Sequence, residues 1–327
     1  MTSPVATPPP GSGAAKPPQP DSTPPLPPRR AMLTPAPAAW NPVAVQAKLR
    51  RRHMVNSIMV GLVALSAVIA TLPLLFILGH LIAEGGGSVR WHFFTNMPKP
   101  VGEAGGGMAN AIVGTLILVA LGSAFGLPVG IGAGLYLAEH RGARLANVVR
   151  FLSDVLNGLP SIVMGIFAWQ FLVRPVGHFS ALAGGIALGA MMIPMVARTT
   201  EEIVLTVPVS LREAALALGY ARWRTSLTIV LRTASAGIVT GALVSIARIA
   251  GETAPLLFTA FGNQFWSTSL AQPIAALPLQ IYTYAISPYD DWHAQAWAGA
   301  LVLILLVLVI SLFARIATRG RFAGATD

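Results

Sequence analysis

Arg248 and Glu252 stand four residues apart in SIARIAGETAPLLF, residues 245–258, inside a run that is otherwise apolar from about 237 to 261. On a helix this spacing sets a guanidinium and a carboxylate on one face, one turn apart, where they can neutralise each other. The guanidinium also carries a planar fork of donors that matches the oxygens of an oxyanion. Two chemistries therefore compete for the pair, a structural ion pair and a transient anion site. Gly251 and Pro255 flank it, and proline has no amide to offer the carbonyl four residues earlier, so the backbone there is opened. Three further charges, Arg198, Glu201 and Glu202, cluster near the end of another apolar run. Mutual pairing and solvation account for them, with a gate or coupling role as the alternative. There is no cysteine and the 6 histidines are scattered, so no disulfide or thiolate metal site is available. No nucleophile and base stand together, and neither a catalytic residue nor a metal ligand is assigned.

The elements that must hold such charges follow from composition. Of 327 residues, 54% are apolar and only 10% charged, which argues for a polytopic membrane protein. Six runs are long enough to cross a ~30 Å hydrocarbon layer, at about 54–80, 109–137, 149–173, 181–206, 235–261 and 295–314. The expected class is therefore all-α, a bundle of six transmembrane helices. Each charge at the bilayer centre costs about 2.5–3.5 kcal/mol, so Arg248 and Glu252 must face protein or water. Of 22 basic residues, 17 fall before the first run, in alternate loops or after the last, and 3 (Arg90, Lys99, Arg174) on the other side. The positive-inside rule then places both termini in the cytoplasm. This asymmetry accounts for most of the net charge of +10, and no nucleic acid is needed. Residues 1–52 read as a disordered cytoplasmic tail, because the first 42 hold 14 of 26 prolines and almost no large apolar side chains. Residues 53–317 form the membrane domain, and 318–327 a second cytoplasmic tail.

Gly122, Gly126, Gly130 and Gly134 recur every four residues, a small-residue ridge on which another backbone can pack closely. Pro128, Pro160, Pro194 and Pro255 each interrupt a span. Between the fourth and fifth spans lies VPVSLREAALALGYARWRTSLTIVLR, residues 207–232. Ser210 and Glu213 have the spacing of a capping box, Gly219 suits a left-handed helix end, and Leu211, Ala214, Ala215 and Leu218 share one face. A short helix at the membrane surface results, either packed on its own bundle or entering a groove on a partner. Around Gln264 to Trp292, the aromatic residues Trp266, Tyr282, Tyr284, Tyr289 and Trp292 read as interface anchors, and this is also where an external protein would dock.

The run Glu213-Ala214-Ala215, three residues, Gly219, nine residues, Ile229 and Leu231 resembles the EAA loop of ABC importer permease subunits. RTTEE at 198–202 and GETAPLLFTA at 251–260 are similar to the permeases of bacterial phosphate importers in particular. The likeness extends over about 53–317, and departs where Arg232 replaces a common family proline. It implies a type I, MetI-like permease fold and alternating access. It further implies a second, PstC-like permease, two PstB-like ATPase subunits that use ATP and Mg, and an extracytoplasmic PstS-like phosphate-binding protein. Glu213, Ala214, Ala215 and Gly219 would form the ATPase contact, and Arg248 and Glu252 would line the substrate path. Arg248 would then hold the passing phosphate. Glu252 would either accept the proton that hydrogen phosphate carries and sulfate lacks, or clasp Arg248 between transport events. The chain itself is no ATPase: its three lysines, Lys16, Lys48 and Lys99, follow no glycine, so no phosphate-binding G-x4-G-K-[ST] loop exists. No cofactor is expected on it. A permease for another oxyanion such as molybdate or phosphonate, or a scaffold without transport, are the alternatives.

Overall fold

The structure, a computed structural model, describes residues 42–103 and 105–322. The described residues are helical, with no strand among them: α1 (Pro42–Gly85), α2 (Trp91–Thr95), α3 (Ala109–Glu139), α4 (Arg144–Gly158), α5 (Ser161–Ala168), α6 (Ala181–Leu205), α7 (Val209–Ala217), α8 (Arg222–Thr225), α9 (Leu231–Ala250), α10 (Ala254–Thr259), α11 (Leu277–Ala285) and α12 (Asp290–Phe322). One unit ends at Val68 and holds the first part of α1; the other runs from Ile69 onward. The expected N-terminal tail lies largely outside the described residues. From Pro42 to Arg52, however, the chain is helical and continuous with the first span, because VAVQAKLRRR is built from good helix formers once the prolines end. At the other end, α12 continues to Phe322, into the stretch expected as the C-terminal tail.

Five helices among the described residues are long and apolar enough to span a membrane, and a sixth span exists only as a bent pair. That pair covers the expected span 149–173, and the interruption expected at Pro160 is a sharp bend. Arg144–Gly158 and Ser161–Val173 meet at 108°. Pro160 lacks an amide and Leu159 before it is extended, with φ −74° and ψ 138°, as the residue preceding a proline prefers. The fifth span is corrected. It is helical from Arg222 to Ala250, passing through a π-helical turn at Ser226–Val230, and then stops. The Gly251 and Glu252 amides close onto Arg248 and Ile249 carbonyls three residues back, at 3.1 and 3.2 Å. Pro255 opens a new short helix from within its first turn, where a missing amide costs nothing.

The unit from Ile69 onward is built on the pairing of α3 with α6. Gly122, Gly126, Gly130 and Gly134 are all buried, as the four-residue ridge predicts. A Cβ at Gly126 would lie 2.9 Å from the Gly189 carbonyl oxygen, and one at Gly130 2.7 Å from the Val196 Cβ. With lipid on the outside there is little hydrophobic gain in helix association, so close packing of this kind supplies the contact energy. Leu118, Leu188, Met192, Val196, Ile249 and Leu256 complete this core. At the α7 end a second cluster forms from Ala138, Val204, Val207, Val230, Ala234 and Ile238. At the opposite end the first amides of α6 are satisfied by a returning segment. Ser180 N donates to Thr259 O at 3.0 Å, Ala181 N to Gln272 O at 2.9 Å and Leu182 N to Leu270 O at 2.9 Å. There Tyr284 is buried and stacks on Trp292 with centroids 4.5 Å apart. It is a core residue of α11, whereas Tyr282, Tyr289 and Trp266 are exposed as interface anchors would be.

Candidate functional site

Three groups of residues were singled out by spacing, and the structure sets them in three different environments. The first is α7. Its N-terminal cap is Pro208, with φ −55° and ψ 136°, and the helix begins at Val209. Ser210 therefore lies inside the first turn and makes no cap, which corrects the expected capping box. Proline fixes the entry geometry on its own. The other end forms as expected. Gly219 has φ +84°, its amide reaches Leu216 O at 3.0 Å, and the Tyr220 amide reaches Ala215 O at 3.1 Å, a Schellman end. Glu213, Ala214 and Gly219 are exposed. So are Leu211, Leu216 and Leu218, the last at 78%. Ala215 is buried at 2%, and α7 packs on α8 and the π-helical turn. The surface of α7 is thus a small apolar knob whose inner alanine serves packing.

Arg232 follows that π-helical turn, in the first turn of α9. Where the resembled family often has proline, arginine keeps its amide, and the helix passes on with one wide turn instead of a proline kink.

The second group sits on the last turns of α6. Glu201 is 3% exposed and its carboxylate is surrounded by cations. Oε1 accepts from Arg150 Nη2 at 2.6 Å and Nε at 3.1 Å, and Oε2 accepts from Arg198 Nη1 at 3.1 Å. Arg198 Nε also lies 3.3 Å from Asp154 Oδ1. Arg150 and Asp154 belong to α4, so the cluster binds α4 to α6. Glu202 points outward and is exposed, and it takes no part. Spacing within one helix cannot reveal Arg150, 51 residues away. Asp154 stands ten residues into α4 and acts as a partner of Arg198.

The third group is Arg248 and Glu252. Arg248 lies in the last turn of α9 and Glu252 in the break that follows. Their contact is loose, Arg248 Nε to Glu252 Oε1 at 3.7 Å, with side-chain exposures of 54% and 17%. A closed structural pair would face nothing else; here the guanidinium keeps most of its donors open. Counted from Arg222, Arg248 lies ~39 Å along the helix axis at 1.5 Å per residue, twice the depth that a start near 235 suggests. Beside it, α5 approaches α10 closely. A Cβ at Gly165 would stand 2.9 Å from Pro255 Cα. The break, the proline and the half-open guanidinium thus coincide at the end of α9 remote from α7.

A bundle with a broken span, a short surface helix between its fourth and fifth spans and polar groups at a helix break is the architecture of a membrane permease. The family of binding-protein-dependent transport system inner membrane components matches residues 130–322, and the chain belongs to that family. Its curated relatives include the phosphate transport system permease proteins PstA. It is 48% identical to the one from Yersinia pestis over 74% of this chain and 83% of that protein. With that of Haemophilus influenzae the identity is 45%, over 82% and 94%. The fold is also that of solved importers. A chain of the MetNI methionine ABC transporter aligns with TM-score 0.55 at 21% identity, over 65% of this chain and 95% of that one. A chain of a bacterial alginate ABC transporter aligns with TM-score 0.57 at 17% identity, over 85% and 98%.

Proposed function

We propose that this chain is the permease subunit of an ATP-driven importer that carries inorganic phosphate across the cytoplasmic membrane into the cell, with both termini inside. The identity to PstA permeases over most of the chain supports the substrate. The observation that carries the mechanism is the half-exposed guanidinium of Arg248, only loosely held by Glu252. A charge left open in an apolar span needs water or a ligand beside it. Phosphate supplies the ligand: two of its oxygens match the guanidinium fork. Glu252 acts as a clasp that holds Arg248 while the path is empty and yields it when the anion arrives. A second permease, PstC-like, closes the open side of the path. A PstS-like protein delivers phosphate from outside, and a pair of PstB-like ATPase subunits docks on the two surface helices, hydrolysing ATP with Mg.

In this scheme Leu211, Ala214 and Leu218 of α7 enter a groove on the ATPase, and Glu213 and Gly219 border that contact. Ala215 holds the helix on its own bundle. Nucleotide-driven closure of the ATPase pair displaces α7 and switches the bundle between outward-open and inward-open states.

The test is phosphate uptake by proteoliposomes containing the assembled transporter and its binding protein. Wild type is expected to import phosphate and not sulfate. Glu252→Gln is expected to assemble normally and lose most uptake, because an amide competes poorly with the bound anion for the guanidinium and no longer draws Arg248 back to release it. Undiminished uptake by an assembled Glu252→Gln transporter would sink the path role of this pair.

A further inference from the structure

Arg212 stands immediately before the Glu213-Ala214-Ala215 run, yet its side chain turns away from the exposed face of α7 and into the bundle. One arm, Nη1, pairs with the carboxylate of Glu139, the last residue of α3 and 73 positions earlier in the chain. The other arm, Nη2, donates to the carbonyl oxygen of Val204 at 3.2 Å, which also receives the Val207 amide at 3.3 Å. Val204 lies in the last turn of α6. A single guanidinium thus touches the C-terminal ends of both central helices. Each end carries partial negative charge from its helix dipole, which favours a cation there. Arginine is suited to this in a way lysine is not, because its donors diverge from a rigid plane and reach two acceptors at once. The side chains are 20% and 26% exposed, sheltered enough that water screens them less than it screens a pair on an open surface.

We propose that Arg212 is a positioning residue for transport: it ties the contact helix α7 to the ends of α3 and α6, so that a displacement of α7 moves those two helices. This rests on reading α7 as the ATPase contact. The rest of α7's attachment is compliant by comparison. It enters through Pro208 and leaves through the left-handed turn at Gly219, and its packing is on the neighbouring α8 and π-helical turn. The helices that Arg212 grips are the stiff ones, joined along the glycine ridge. From α6 the motion passes to α4 through the Glu201 carboxylate and Arg150. The broken element α4–α5 then carries it to α10 at the Gly165–Pro255 approach, next to Glu252.

The experiment uses the whole transporter with its ATPase and binding protein in proteoliposomes, and measures ATP hydrolysed per phosphate imported. Glu139→Gln and Arg212→Gln are each expected to raise this ratio about fivefold or more, the lower end of ordinary inter-site coupling, with the ATPase still co-purifying. The double variant is expected to be no worse than the worse single, since both remove one tie. The chain contains no cysteine, so Glu139→Cys with Arg212→Cys can be joined by a flexible bis-maleimide, which adds to both thiols and spans about the length of the two side chains together. Joining is expected to bring the ratio back toward wild type, an effect that mere loss of stability would not produce on the same unlinked protein. Ratios within about twofold of wild type in both singles, additive effects in the double, or no recovery on joining would overturn the tie. Loss of the ATPase from the Glu139→Gln complex would overturn it as well, by making the pair a docking requirement. The underlying reading fails separately: if Leu218→Asp leaves ATPase binding and stimulated hydrolysis intact, α7 is not the contact.

Discussion

Glu201 and Arg248 are both charges placed within apolar spans, and their surroundings are opposite. Glu201 is saturated: three N–H groups from two guanidiniums converge on its two oxygens, and the side chain is almost wholly buried. Arg248 has a single acidic neighbour at 3.7 Å and keeps half its surface open. A buried carboxylate with all partners in place can do nothing further without first breaking contacts, and so it fastens two elements. A guanidinium with unused donors at a helix break can take a ligand without losing anything first. The difference lies in the backbone. Glu201 sits on an unbroken stretch of α6 facing α4, whereas α9 ends two residues after Arg248, and the break removes the neighbouring turn that would have covered it.

If that contrast holds, stability and transport should separate between the two sites. The largest effect is expected for Glu201→Gln, which leaves Arg150 and Arg198 without their shared anion. Breaking such a pair costs about 3 kcal/mol, the low end for buried pairs because both guanidiniums are partly exposed. The thermal unfolding midpoint of the solubilised chain should fall by several degrees, and a midpoint unchanged from wild type would remove the distinction. Arg248→Gln is expected to do the converse. Its clasp is solvent-facing and worth at most ~1 kcal/mol, so the midpoint should scarcely move, while phosphate uptake falls about tenfold or more, equivalent to ~1.4 kcal/mol of lost binding. Equal losses of stability at both positions would mean that Arg248–Glu252 is structural after all.

Much of this was legible in the residues themselves. The four-residue glycine interval foretold that α3 packs closely on another helix, because one helix face is a local property of spacing, though it could not name α6 as the partner. Gly219 foretold its own left-handed turn for the same reason. The Ser210 cap failed because Pro208, two residues earlier, already set the helix start. Hydropathy outlines one span over 149–173 and Pro160 marks an interruption in it, but not its angle, because proline removes one amide whether the helix kinks slightly or turns back sharply. Arg150 with Glu201, and Arg212 with Glu139, were beyond reach: each joins residues 51 or 73 positions apart, and nothing in either segment names the other. The pair that was found, Arg248 and Glu252, is the one whose partners are a single helical turn apart.

The smallest expected effect is the most discriminating for the Glu201 cluster. Asp154 lies 3.3 Å from Arg198 and its side chain is 56% exposed, so solvent already does much of what its charge does. Asp154→Asn should therefore cost no more than ~0.5 kcal/mol, since the amide oxygen can still accept from Arg198 and Glu201 still neutralises it. What remains should vanish when the unfolding midpoint is measured in 1 M salt, because an exposed pair is screened within ~3 Å at that ionic strength. A loss of ~2 kcal/mol that persists in salt would show that four charges, not one buried carboxylate, close the cluster. Two cations would then need two anions, and the contrast with Arg248 would rest on the count of partners around each charge more than on burial.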